Sequence, residues 1–428
     1  MTACVSTGYA QALHTVDDIE MNVSLLSVEA ERCVFRKASS KLAENETSVE
    51  ISVPTANIVR WGTWTGWTAE QAVWLQGGSW LCGEINVGPD SVNLDNQWLH
   101  TPEIKLPIVR GLVFDPPASL AQAIALRQEM SLVSGGRDVL WLRDGRQVSG
   151  TVSFFDSASS QNNKVLQFDF GGRAVEIVLD EVRAIVFSPD LFGPLNNSQQ
   201  RHLIGLADGS MLRAFQVSST DAGMSCQLEP DLTVTSLNRG AEFARGITLL
   251  ASPSRQVQML SAKAPDSYRN LSDTLITWEL GRDHDVWQDP LRTRDGLVPH
   301  GLAMHSLSQA AYRWDKRPAH LLADLTLAMP RAAANRGLGS ARCKVLVARD
   351  GQLVTEIDIG VQRTEQSGIN HFFRFDQEPS VESEMASMPI EVDLTGAQLV
   401  ALVVEDWKHG QYGDQVFWLD ARISMVSD

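Results

Sequence analysis

Tight glycine turns set between alternating apolar residues recur along the first 250 residues, and they constrain the fold more than any other feature. One stretch runs Asp138-Val139-Leu140-Trp141-Leu142-Arg143-Asp144-Gly145-Arg146-Gln147-Val148, and another His202-Leu203-Ile204-Gly205-Leu206-Ala207-Asp208-Gly209-Ser210-Met211-Leu212. A third is Val73-Trp74-Leu75-Gln76-Gly77-Gly78-Ser79-Trp80-Leu81. A period of two on both sides of Asp-Gly or Gly-Gly predicts β-hairpins, with the positive φ of a type I′ turn supplied by the turn residues. The turns lie roughly 65 residues apart, which is the spacing of a repeated supersecondary unit. A weaker copy begins near Asn22-Val23-Ser24-Leu25-Leu26, with Glu29-Ala30 near its turn.

The repeats also close alike. Val49–Trp61, Ile104–Phe114 and Val175–Phe187 each read as strand, short turn, strand. Each unit then supplies four or five short strands, enough for a small antiparallel barrel or sandwich. In outline this is similar to the Sm-like small barrels. Open strand edges in such units tend to pair with neighbouring units or copies. Pro116-Pro117 stops a strand, and Ser119 caps a short helix whose apolar face is Leu120, Ala123 and Ile124. The repeat pattern ends at Ala251-Ser252-Pro253-Ser254. The expected organisation is an N-terminal arm (1–18), two β repeats (19–115), a linking helix (116–131), two further β repeats (132–253) and a C-terminal module (254–428).

Composition excludes several classes. The chain has 428 residues, which implies two to four domains, and its net charge of −16 disfavours bulk binding to nucleic acid. No apolar run approaches the roughly 18–20 residues of a membrane span. Five scattered cysteines form no Cys-x-x-Cys pair, so neither a cysteine zinc site nor a disulfide framework is expected. The N-terminus as written has no basic region followed by an apolar one, so no signal peptide is expected within it, and the compartment stays open between the cytoplasm and a secreted form whose leader precedes this start. Nucleophile elbows, phosphate-binding loops and His-Glu-x-x-His motifs are all missing from the sequence, which points to holding a ligand and not to converting one.

The last third carries a further set of landmarks. They are Asp266-Ser267-Tyr268, Trp278, Arg282-Asp283-His284-Asp285, Gly301-Leu302-Ala303-Met304-His305-Ser306, the Asp350-Gly351 hairpin, Ile390–Asp406 and Asp414-Gln415-Val416-Phe417-Trp418. In this order they resemble the NPCBM family, the "novel putative carbohydrate-binding modules", over about residues 256–428. Ala303 and Gln415 depart from that pattern, which has glycine and often histidine there. The resemblance implies a β-sandwich (jelly roll), a glycan or polysaccharide partner and an extracellular or cell-surface setting. The fold expected for the whole chain is therefore all-β: tandem small antiparallel barrels or sandwiches followed by a C-terminal sandwich.

Twelve tryptophans against four tyrosines supply ring faces for sugars or cores. Trp418, inside a strand, reads as core. Asp406-Trp407-Lys408-His409-Gly410-Gln411-Tyr412-Gly413-Asp414 is a loop with rings, amide and imidazole together, and Trp407, His409, Tyr412 and Asp414 are its candidate ligand-binding residues, with His305 as a fifth. Asp283, His284, Asp285 and His300 have metal-ligand chemistry without metal-ligand spacing. No cofactor is expected, although sandwich modules can hold a structural calcium through loop carboxylates. Two readings follow. One is a non-catalytic carbohydrate-binding protein whose repeats act as a spacer or assembly platform. The other is a structural protein that self-associates through its β repeats into a homo-oligomer.

Overall fold

A strand with one buried face must alternate apolar and polar side chains, and most of this chain does so. In a computed structural model the protein is nearly all β, with two α-helices among the described residues. These are residues 11–426, apart from 30, 38–48, 67–69, 157–164, 192–200, 221–222, 239, 272–276, 330–338, 364–368, 378–380 and 409–413. The chain divides into two units, one of residues Met1–Leu13 and Glu20–Pro253, the other of His14–Ile19 and Ser254–Asp428.

In the N-terminal unit the hairpins are those expected from the sequence, but their turns are of another kind. Gly145 N–H donates to the Leu142 carbonyl at 3.0 Å, and Leu142 N–H to the Arg146 carbonyl at 2.9 Å. Leu206–Ser210 and Leu75–Ser79 repeat both bonds. Only the second turn residue has positive φ, at +90° in Gly145, +88° in Gly209 and +86° in Gly78. These are three-residue loops, a type I turn closed by a glycine bulge, and not the two-residue type I′ turn anticipated. The reason is local: a type I turn keeps the aspartate right-handed and asks left-handed backbone of glycine alone.

Each repeat leaves its last strand with an open edge, and the chain pairs these edges with one another. Val109–Val113 of the second repeat lies antiparallel to Val182–Val186 of the third, with Gly111 opposite Val186. Ile58–Gly62 of the first meets Ile247–Ala251 of the fourth in the same way, with Leu250 opposite Trp61. One ladder pair, Met211 opposite Trp80, joins the two pairs within the sheet. The result is one sheet of 16 strands, bounded by Arg173–Val178 at one end and Glu50–Pro54 at the other. Gln11–Thr15, within the stretch expected to be an arm, is also a strand of this sheet.

The expected helix is present at Leu120–Ser131, with Ser119 Oγ accepting from Gln122 N–H at 3.3 Å. Its buried face is Ala123, Leu126 and Met130, not Leu120 and Ile124. The cause is Arg127, whose guanidinium sits 4.3 Å from the ring centroids of both Trp64 and Trp80. That cation–π sandwich turns its side of the helix toward Trp80, Val113 and Trp141. The described cysteines, Cys33, Cys82, Cys226 and Cys343, are free and buried, and burial pushes their thiols up, Cys33 to about 11.

The C-terminal unit stacks two antiparallel sheets. One, of six strands, centres on Val416–Met425, flanked by Gly301–Met304 and Ala319–Leu327. The other, of seven strands, runs from Ser267–Asn270 through Ser308–Arg313, Ala397–Asp406, Ser340–Arg349, Gln352–Arg363 and Asn370–Arg374 to Val381–Met385. Trp418, Tyr312 and Phe372 are fully buried between them, so Trp418 is core as expected. Here Asp350 (φ +48°) and Gly351 (φ +80°) do form a two-residue turn between Arg349 and Gln352. The segment His14–Ile19 is part of this unit. Buried His14 lies 3.2 Å from Asp324 and 3.7 Å from Asp420, and Arg422 Nη2 donates to the Thr15 carbonyl at 2.8 Å.

Gly83 links the strands Trp80–Cys82 and Glu84–Val87 at φ +149°, and a Cβ there would stand 2.2 Å from the Asp95 carbonyl oxygen. A Cβ on Gly145 would meet nothing within 4 Å. Gly83→Ala is therefore expected to cost the N-terminal unit about 3 kcal/mol and Gly145→Ala about 1 kcal/mol. Denaturant midpoints of the two variants measure the difference.

Candidate functional site

Strand register gathers several loops at one end of the C-terminal sandwich. Gly301–Met304 ends with Met304 opposite Val416, and Ser308–Arg313 begins with Ser308 opposite Val404. Ala341 lies opposite Asp406, and Ser340 opposite Gln362. The turn at 305–307, the start of the strand at Ser340, Arg363 and the connection from Asp406 to Val416 therefore share this end.

An aromatic platform is built there. The His305 ring stacks on Trp278, with centroids 4.8 Å apart and planes 11° from parallel. Trp287 stands edge-on to Trp278 at 4.6 Å and 78°. Both indoles are fixed through their backbones. Tyr268 Oη donates to the Trp278 carbonyl at 3.1 Å. Asp285 Oδ1 accepts from the N–H groups of Trp287 at 2.7 Å and Asp289 at 2.9 Å, an Asx turn that holds Trp287 outward. Trp287 is 49% exposed, the one tryptophan among the strongly exposed apolar residues described. Burial pushes the His305 imidazole below its usual range, so near neutral pH it is an uncharged ring that can both donate and accept. Its Nδ1 lies 3.3 Å from Ser306 Oγ.

Asp414 is fully buried behind this platform. Loss of hydration raises its carboxyl to about 7; the Ser306 hydroxyl and the Ser340 N–H pull the other way, and nearby Asp406 raises it further. Ser306 lies near both Asp414 and His305. Asp414 itself is enclosed.

Trp407 has a different setting. Its six-membered ring rests on Gly360, where a Cβ would stand 2.8 Å from Cη2. Phe373 and Phe375 meet it edge-on, at 5.2 Å and 6.0 Å. The Lys408 ammonium covers it at 4.3 Å. His409 and Tyr412 lie outside the described residues. Sequence reasoning missed Trp278 and Trp287 as site residues. The signal lay in Asp285-Val286-Trp287-Gln288-Asp289-Pro290, where an aspartate two residues before tryptophan and a following Asp-Pro mark a rigid turn. Among the described residues no group of three His, Cys, Asp or Glu side chains is placed to hold a metal ion.

The C-terminal unit is a two-layer antiparallel sandwich. Residues 259–424 match the family model described as NPCBM/NEW2 domain. Solved structures similar to the chain include CBM51 from Clostridium perfringens GH95 in complex with methyl-galactose, at 16% identity and TM-score 0.28, covering 39% of this chain and 99% of that one. The CBM51-2 and INT domains of Clostridium perfringens ZmpB align at 16% identity and TM-score 0.30, covering 50% of this chain and 41% of that one. The tandem CBM51 modules of Sp3GH98 from Streptococcus pneumoniae align at 12% identity and TM-score 0.29, covering 67% and 88%. No curated protein matches the chain.

The raised Asp414 carboxyl makes a signed prediction. A carboxyl whose folded value lies above its unfolded value stabilises below the unfolded value, and that stability is lost as pH rises through the folded one. Asp414→Asn should therefore gain on the wild type as pH climbs from about 4 to about 7, by about 2–4 kcal/mol at most. Melting of both proteins across this range measures the crossing.

Proposed function

We propose that this chain holds a glycan at the loop end of its C-terminal sandwich and does no chemistry on it. The observation that carries this reading is the exposed Trp287, fixed by its Asx turn at right angles to the Trp278–His305 stack. Indole faces bind the C–H faces of a pyranose, and a neutral imidazole beside them meets a hydroxyl. The NPCBM/NEW2 domain supports the same reading, because its family is one of carbohydrate-binding modules. The N-terminal repeats serve as a spacer or platform. A shallow site of this kind binds at roughly 10–1000 μM and gains from multivalency.

Calorimetric titration of the full chain against a glycan panel, with galactosides and N-acetylglucosaminides in it, tests the reading. A binding sugar should lose affinity about tenfold or more in Trp287→Ala, with the melting temperature unchanged because the ring is exposed. A panel without heat, or a Trp287→Ala chain that binds as before, removes the reading.

One observation favours self-association as a second reading. The edge strand Arg173–Val178 begins with four consecutive exposed residues, Val175 among them, at the end of the 16-stranded sheet. Sedimentation velocity tests it: concentration-dependent dimers abolished by Val175→Lys support it, and a monomer throughout removes it.

A further inference from the structure

The cluster around Trp407 is separate from the platform and has a geometry of its own. Glu405, Arg342, Gly360, Phe373 and Glu382 lie in one cross-strand row of the seven-stranded sheet. Gly360 is the gap in that row, and Trp407 fills it. The rings of Phe373 and Phe375 stand 65° and 78° to the indole. Trp407 and Phe373 both meet one ammonium group, and ring faces set at a steep angle attract a compact organic cation.

The cluster already holds a cation. Lys408 Nζ is 4.3 Å from the Trp407 centroid and 4.4 Å from that of Phe373. Its ammonium donates to Gln362 Oε1 at 3.1 Å, and the residue is exposed. The third ring, Phe375, is 39% exposed and carries the Arg342 guanidinium at 4.9 Å, itself bidentate to Asp358 at 2.7 and 2.6 Å. Exposed Glu382 and Glu384 border the same strands, and the whole chain carries a charge of −16. Both the rings and the field favour positive charge here.

We propose that Trp407 and Phe373, bordered by Phe375, form a binding site for a compact organic cation, a quaternary ammonium group or a protonated amino sugar, with Lys408 as its resident plug. Lys408 is tethered next to Trp407, so it competes at high effective concentration, and an outside cation binds only when the lysine swings into solvent. The site does not depend on the glycan platform.

The test uses the full chain as wild type, Lys408→Ala, and Lys408→Ala/Phe373→Leu. Each is titrated with tetramethylammonium chloride against matched sodium chloride, with indole fluorescence as the readout. Lys408→Ala should bind about tenfold or more tightly than the wild type, and Phe373→Leu should return it to wild-type affinity or weaker. Glucosamine and N-acetylglucosamine then separate the sources. Binding of protonated glucosamine but not of its neutral acetylated form points to amino sugars, and binding of tetramethylammonium alone points to quaternary ammonium groups. The proposal is overturned if removing Lys408 brings no gain in affinity, if Phe373→Leu leaves the gain intact, or if the gain on removing Lys408 is as large for N-acetylglucosamine as for glucosamine.

Discussion

Backbone hydrogen bonding at strand edges is the constraint on which the N-terminal unit depends. A small group of short strands cannot satisfy the outer edge of its last strand by itself. The chain solves this twice in the same way, pairing Val109–Val113 with Val182–Val186 and Ile58–Gly62 with Ile247–Ala251. These pairings run between repeats that are not all neighbours in sequence: the second meets the third, but the first meets the fourth. One continuous sheet follows from that choice, and the helix Leu120–Ser131, anchored by Arg127 between two indoles, covers part of its face.

In the C-terminal unit the same bonding fixes the register of two stacked sheets, and register decides which loops meet. His305, Ser306, Ser340 and Asp414 come from three connections, yet they converge because the strands that carry them are paired. Burial then divides the labour. Trp418 and Asp414 are fully enclosed, whereas Trp287 projects. The two aromatic clusters differ in one respect that matters for binding: the Trp278 platform is open beside Trp287, and the Trp407 cluster is filled by the chain's own lysine.

Much of the fold was legible because a period of two and a glycine turn are local signals. The turn type was not, since Asp-Gly suits both two-residue and three-residue loops, and the choice rests on whether the aspartate stays right-handed. The buried face of the helix was misread because a cation–π contact with Trp64 and Trp80, distant in sequence, overrode a weak apolar stripe. At the site, the segments with His305 and Asp414 were visible as landmarks, but the burial of Asp414 depends on Ser306, Ser340 and Arg363 packing around it. Trp287 was missed because nothing in a lone tryptophan reports exposure; that comes from the Asp285 turn. Trp407 was visible as a ring in a polar loop, but not its slot at Gly360, which lies far away in sequence.

The central claim is that the open indole corner at the end of the sandwich is where a sugar rests. Fluorine NMR of the full chain labelled with 5-fluorotryptophan tests it most directly, since each of the twelve indoles reports its own surroundings. During titration with a glycan, the account predicts saturable shifts for Trp278 and Trp287 and none for the enclosed Trp418. Shifts confined to tryptophans of the N-terminal unit, or no shift in any indole across the panel, would contradict it.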